Sequence, residues 1–445
     1  MVRLRGQEWR PAGLTPAVDC THSGRTQAPV VRATLDGPGS RSRNRLLHDR
    51  SQDSPVPLKW NPPLVHDEIL FSRPLRTPNE LSNLAAVLES GHSHGDGAFT
   101  ARATARLQQI TGSARALLTT SCTHALELAM LLLDLGPGDE VILPSFTFPS
   151  AATAVVSRGA TPVFVDIDIS SGNIDPAAVG EAITARTRAV IVMHYGGVPA
   201  DLEGVFQFTA MRGIAVIEDN AHGLGGIDAQ GRRLGTVGAF GVQSFHDTKN
   251  VQCGEGGAIL LNDDALFTRA EIIREKGTDR GRFLRGDVDK YTWQDVGSSY
   301  VPSELNAAVL DSQLASFYQI QVERFRIWNT YADALRDWAG DLGIRSMADK
   351  TWLLHSAHLF YLLMPDRAGQ SDLISHLGAH GIRATFHYVP LHSSPAGRRF
   401  GRTSGRQDRS HSFSERLVRL PLWPGLTDAQ VSRVLEAVLS YRPRR

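Results

Sequence analysis

"FGVQSFHDTKNVQCGEGGAILL", residues 240–261, places two short apolar runs, Phe240–Ser244 and Ala258–Leu261, on either side of a polar, glycine-rich link. Runs of this length bounded by turn residues read as buried strands. The "CGEGG" before the second run is too short for a helical crossover, so an antiparallel pair is expected. Upstream the pattern becomes an alternation. Apolar runs at Glu140–Leu143, Val163–Ile167, Ala189–Met193 and Ala215–Ile217 are interleaved with segments of helical character, Ser150–Ser157, Pro176–Thr184 and Leu202–Met211. Alternating strands and helices predict βαβ units and a mostly parallel sheet covered on both faces.

Further out, a long helical segment from Ser303 to about Leu335 leads into short strands and helices. A chain of 445 residues is too long for one ordinary core. Two domains are therefore expected, a large α/β domain over 65–320 and a smaller α+β domain over 321–445. Residues 1–64, including "GPGSRSRNRLLHDRSQDSPVPLKWNPP", carry ten Lys and Arg against five Asp and Glu with little apolar periodicity. They read as a solvated, disordered basic leader, or as a start placed too early. No internal repeat is visible.

The formal net charge is +1, which gives no electrostatic case for nucleic acid or an anionic membrane. The three cysteines, Cys20, Cys122 and Cys253, form no CxxC or Cys/His pattern. That argues against structural zinc, any other metal centre or a disulfide framework, and fits a reducing cytoplasm. With no long apolar run and no apolar region after the N-terminus, a cytoplasmic protein is expected.

Ligands of open α/β sheets bind beyond the carboxyl ends of the strands. There the chain offers "PSFTF" (144–148), "HYGG" (194–197), "EDNAH" (218–222) and "SFHDTKN" (244–250). Taken singly, each residue has an ordinary structural reading: a surface lysine, a turn aspartate, a core phenylalanine, a helix cap. Together, in order along one sheet edge, they meet the needs of pyridoxal phosphate. That cofactor requires a lysine amine, a carboxylate for its ring nitrogen, a flat partner and phosphate donors. Lys249 suits the first, Asp219 the second and Phe148 the third. The turn in "TTSCTHALELAMLLLDL" (119–135) opens a helix whose free N–H groups suit the phosphate, with Ser244 adding a hydroxyl.

The blocks "TSCTHALE", "PSFTFPSAATA", "VIEDNAHGLGG", "SFHDTKNVQCGEGGAILLND" and "RLPLWPGL" resemble the DegT/DnrJ/EryC1/StrS sugar aminotransferases, over about Val65 to Tyr441. That resemblance implies the aspartate aminotransferase-like architecture, fold type I, and homodimers. It makes Lys249 the Schiff-base lysine and Asp219 the partner of the pyridine nitrogen, with Phe148 stacking on the ring. Cys122 and Thr123 fall in the phosphate turn, with Ser244 as a further phosphate contact. His222 falls near the ring oxygen, where many members have Gln. "GDGAFT" (95–100), the 274–300 block and "FHYVPLHSSPAG" (386–397) resemble members that aminate C4 of a dTDP-linked 4-keto-6-deoxy sugar with glutamate as donor. "SSYVPSEL" lacks the Arg of the family's "NYR" motif, so Lys290, Tyr291, Tyr300, His387 and Tyr388 are the candidates for sugar-nucleotide contact. Alternatives are amination at C3, a related dehydratase (disfavoured by Lys249, since those carry His) and a non-catalytic cofactor-binding protein.

Overall fold

A computed structural model describes residues 68–347 and 355–443, all within one compact unit, Val65–Arg445. The leader expected at 1–64 lies outside the described residues. Eleven strands are present among them: β1 Arg115–Thr119, β2 Glu140–Pro144, β3 Thr161–Val165, β4 Thr187–Met193, β5 Ala215–Asp219, β6 Phe240–Ser244, β7 Gly257–Leu261, β8 Arg345–Ser346, β9 Phe360–Leu363, β10 Arg402–Thr403 and β11 Leu417–Leu420. Eight form a sheet in the order β1-β7-β6-β5-β4-β2-β3-β10, and β11-β9-β8 form a second, antiparallel sheet. The large sheet is parallel from β6 through β10; β7 runs antiparallel to both its neighbours, as the short glycine-rich link requires.

Both faces of the large sheet are dry. Val141 and Leu143 of β2 join Ile191, Ile217, Val242 and Ile259 beneath the helices Cys122–Leu132 and Pro149–Ser157. Ile142, between them in sequence, points the other way and packs with Val163, Val190, Val192 and Val216 near the helices Pro176–Ala182 and Leu202–Thr209. These two helices start where the sequence supplies a cap: Asp175 accepts from the Ala177 N–H at 2.9 Å, and Asp201 from the Gly204 N–H at 2.9 Å.

Two expectations change. The single long helix from Ser303 is two, Glu304–Ala315 and Phe317–Asp341, broken at Ser316. The break lets each part serve a different core. Leu310 and Leu314 pack with Ala103, Leu107 and Leu118, whereas Ile327, Trp328, Tyr331 and Leu335 pack with the small sheet. β1 and β10 were not marked in the sequence reading. β1 finds its strand partner, β7, far along the chain, and β10 is two residues long, too short for a periodic signal. Among the described residues no helix is long and apolar enough to cross a membrane.

Candidate active site

β5 ends in two carboxylates with opposite tasks, because successive strand residues face opposite sides. Glu218 turns away from the site and is consumed structurally. It accepts from the backbone N–H groups of Gly235, Val237 and Gly238 at 2.8, 2.7 and 2.6 Å and pairs with His194 Nε2 at 2.9 Å. Burial alone would raise its pKa, but His194 and these N–H groups outweigh it and hold it low. Asp219 faces a cavity of about 590 Å³. Its Oδ1 accepts from the Ala221 N–H at 3.1 Å, and burial pushes its pKa up against the pull of that N–H and of Lys249.

Lys249 lines the same cavity, in a tight turn beyond β6 where its own N–H donates to the His246 carbonyl at 2.9 Å. Burial lowers its pKa to about 8, although Asp219 opposes the shift. A buried amine so placed is unprotonated in a far larger fraction near neutral pH than an ordinary lysine, which favours a nucleophile.

The floor of the cavity is the start of the helix Cys122–Leu132. Ser121 caps it, its hydroxyl accepting from the His124 N–H at 3.1 Å, so the N–H groups of Cys122 and Thr123 sit at the helix's positive end. Gly257, opening β7, makes this approach feasible: a Cβ there would collide with the backbone of Ser121 and Cys122. Thr123 and Ser150 meet hydroxyl to hydroxyl at 2.7 Å, and Ser244, at the end of β6, completes a hydroxyl-rich rim. Burial, with Asp219 adding to it, keeps the Cys122 thiol neutral. Phe148, 54% exposed, stands at the mouth with its ring edge-on to Tyr388 at 6.1 Å.

The structure therefore brings Lys249, Asp219, Phe148, Cys122, Thr123, Ser244 and His222 around one space, with His387 and Tyr388 on the facing wall. It separates the remaining candidates from that space. Tyr300 is buried beside the helix, donating to Glu127 at 2.9 Å, and burial followed by Glu127 raises its pKa to about 12. Tyr291 is exposed, in the same segment as Lys290, and neither residue lines the cavity.

The lining residues that sequence reasoning did not single out include Phe71, Ser150, His358 and Arg419. Arg419 had a signal, being the one charged residue in the otherwise apolar β11, whose four residues are all buried. Its guanidinium lies over the Phe71 ring at 4.4 Å, its Nε has no hydrogen-bond partner, and no ion pair engages it among the described residues. His358 carried no signal, since the loop that delivers it is placed only by tertiary packing.

Comparison with known proteins gives a consistent picture. The model of the DegT/DnrJ/EryC1/StrS aminotransferase family matches residues 75–439. Among solved structures, the aminotransferase TlmJ from Streptoalloteichus hindustanus is 30% identical, with a TM-score of 0.76 over 84% of this chain and 98% of that one. DesV of S. venezuelae is 31% identical, with a TM-score of 0.74 over 84% of this chain and 100% of its own. Spr1654 from Streptococcus pneumoniae, solved in a PLP-form, is 26% identical at a TM-score of 0.76, covering 84% of this chain and 98% of that one.

Proposed function

The chain belongs to the DegT/DnrJ/EryC1/StrS aminotransferase family, and from the narrower resemblance carried by residues 95–100, 274–300 and 386–397 we propose that it transfers an amino group from glutamate to C4 of dTDP-4-dehydro-6-deoxyglucose, giving dTDP-4-amino-4,6-dideoxygalactose. It is a pyridoxal-phosphate-dependent transaminase acting on nucleotide sugars. The observation that carries the residue assignments is the opposition of Lys249 and Asp219 in one buried cavity above a helix N-terminus. Those groups fit the cofactor. Asp219, raised by burial, gains a cationic partner in the protonated pyridine nitrogen, which restores its charge. The N–H groups of Cys122 and Thr123, with the Thr123 and Ser244 hydroxyls, would hold the phosphate, and Phe148 would cover the ring from the mouth.

When bound, the cofactor supplies an electron sink for the carbon that loses its proton. The residues do the rest. Lys249 would hold the cofactor through Nζ, and its freed amine would take the proton from the donor's α-carbon and return it on the cofactor side of the same bond system. Asp219 keeps the ring nitrogen protonated. Arg419, a buried cation without a carboxylate, takes the donor's α-carboxylate. The keto sugar enters after the keto acid leaves, so one site serves both substrates. His387 and Tyr388 would meet the sugar within the cavity, and Lys290 and the exposed Tyr291, which lie off the cavity, are assigned to the nucleotide side, whereas the buried Tyr300 acts through Glu127. Residues 65–320 and 321–445 are read as the large and small domains, and the free thiols Cys122 and Cys253 suit a cytoplasmic enzyme.

The working assembly is a homodimer, supported by exposed apolar residues concentrated between Phe283 and Val296, including Leu284, Tyr291 and Trp293. The test of function is an absorption spectrum of cofactor-loaded protein, wild type beside Lys249→Ala. A visible band that the variant lacks and that glutamate bleaches, restored by the 4-keto sugar nucleotide, is expected. Restoration by a 3-keto sugar alone would move the reaction to C3, and no band at all would overturn the reading.

A further inference from the structure

Three imidazoles are arranged in a column at the cavity wall. His358 stacks on His222 with ring centroids 4.1 Å apart and planes 23° from parallel; His387 lies parallel to His222 within 8° at 6.1 Å. Each neutral imidazole has one nitrogen that donates and one that accepts, and the partner of one fixes the role of the other. For His222 the Gly196 backbone N–H donates to Nδ1 at 3.2 Å. A backbone N–H can only donate, so Nδ1 must be bare and the ring proton must sit on Nε2.

The adjacent ring is set the opposite way. The Asn250 side-chain nitrogen donates to the Ser356 carbonyl at 2.9 Å, and a carbonyl can only accept, so the orientation of that amide is determined. Its oxygen therefore accepts from His358 Nδ1 at 2.8 Å, and His358 Nε2 is the bare nitrogen. Ser356 ties the two histidines together, because its hydroxyl donates to the His222 carbonyl. Neither ring gains by taking a second proton. Lys249 and Arg419 share their cavity, Arg324 donates to the His358 carbonyl, Tyr195 flanks His222, Tyr388 stacks on His387, and Asp219 and the mouth residue Glu255 are the only carboxylates lining it. Two cationic rings at stacking distance would also repel.

We propose that His222, which the family resemblance sets beside the cofactor's ring oxygen, is locked as the Nε2–H tautomer, and that His358 is the positioning residue that keeps it neutral and seated. The lock converts an ionisable side chain into a group that donates without titrating across pH 5–8, as an amide does. This inference rests on the transaminase reading above for the acceptor, but the tautomer of His222 does not depend on it.

The experiment is ¹⁵N NMR of histidine-labelled protein, without cofactor and then with pyridoxal phosphate, with His222→Gln identifying the His222 signals. The expected result is a bare Nδ1 and protonated Nε2 from pH 5 to 8 in both states, with the Nε2–H signal moving when the cofactor binds. His358→Ala is expected to give His222 a titration inside that window, whereas His358→Phe, which keeps a flat uncharged neighbour, is not. A structural role alone would leave the tautomer and its pH profile untouched in both. In the loaded protein, His222→Phe should raise the pH midpoint of the visible band by about one unit or more, and His222→Gln should shift it less. A proton on Nδ1, or titration of His222 in the wild type, overturns the lock. A visible band with no response at Nε2 overturns the donor role. Absence of the band would instead sink the transaminase reading, and the cofactor-free spectrum would still decide the tautomer.

Discussion

The two walls of the cavity hold charge in contrasting ways. On the large-sheet wall, Asp219, Ser244 and Lys249 follow strand ends within a short stretch of chain, and a helix N-terminus faces them. Opposite charges are matched there, and backbone donors fix the groups. The small-sheet wall draws His358, His387 and Tyr388, and Arg419 from three separate segments. It sets one unpaired cation among side chains that burial keeps neutral. The first wall is complete once it has a cofactor. The second still calls for an anion, and that division suits a site that must keep one ligand and exchange two others.

The division can be broken most sharply at Lys249. Lys249→Ala should cost turnover about four orders of magnitude or more, since it removes both the attachment point and the acid–base group. A coupled glutamate-to-keto-acid assay measures it, with circular dichroism confirming the fold. Next comes Asp219→Ala, which leaves a cationic ring without its counter-charge at about 3–5 kcal/mol. Cofactor affinity by fluorescence titration should fall together with rate, and an unchanged affinity would detach Asp219 from the ring.

Arg419→Gln probes the opposite wall. Losing a charge-assisted bond costs about 1.5–3 kcal/mol, so kcat/KM for glutamate should drop roughly 10–100-fold while the amine-loaded enzyme still reacts normally with the keto sugar. Damage confined to the sugar half-reaction would mean that Arg419 serves the sugar nucleotide instead.

The smallest effect is thermodynamic. His222, His358 and His387 have pKa values lowered first by burial and then by nearby cations, chiefly Lys249 for the first two and Arg419 for the third. The unfolded chain therefore binds protons that the folded chain refuses. Stability is fully present above about pH 6.5 and falls below it, by up to about 1.4 kcal/mol per pH unit for each site. Urea midpoints should decline from pH 7 toward pH 5. Replacing His358 by Phe should make that decline shallower.

The same contrast explains what could be read from the sequence. Parallel strands buried on both faces write continuous apolar runs, so β2 to β7 and the order of residues at their ends were legible, and with them the large-sheet wall. Arg419 and His358 belong to short elements whose residues look like any edge strand or loop until β11 and β9 pair. Ser316, which splits the long helical segment, lies between two stretches that both favour helix, and only the presence of two cores to fill divides them. Tyr300 illustrates the converse: its motif placed it near the sugar, while packing gives its hydroxyl to Glu127.

The position of β1 at the sheet's edge carries a consequence for how the protein is made. Among the described residues its only strand partner is β7, with Arg115 aligned to Leu261 and Thr119 to Gly257. At about 5–20 residues per second of synthesis, β1 leaves the ribosome on the order of ten seconds or more before its mate. The helix Cys122–Leu132 emerges in that interval, attached to a strand whose hydrogen-bonding groups have nothing to pair with. A nascent chain halted short of residue 257 would display an apolar, ladder-ready edge, the kind of surface that holdase chaperones engage.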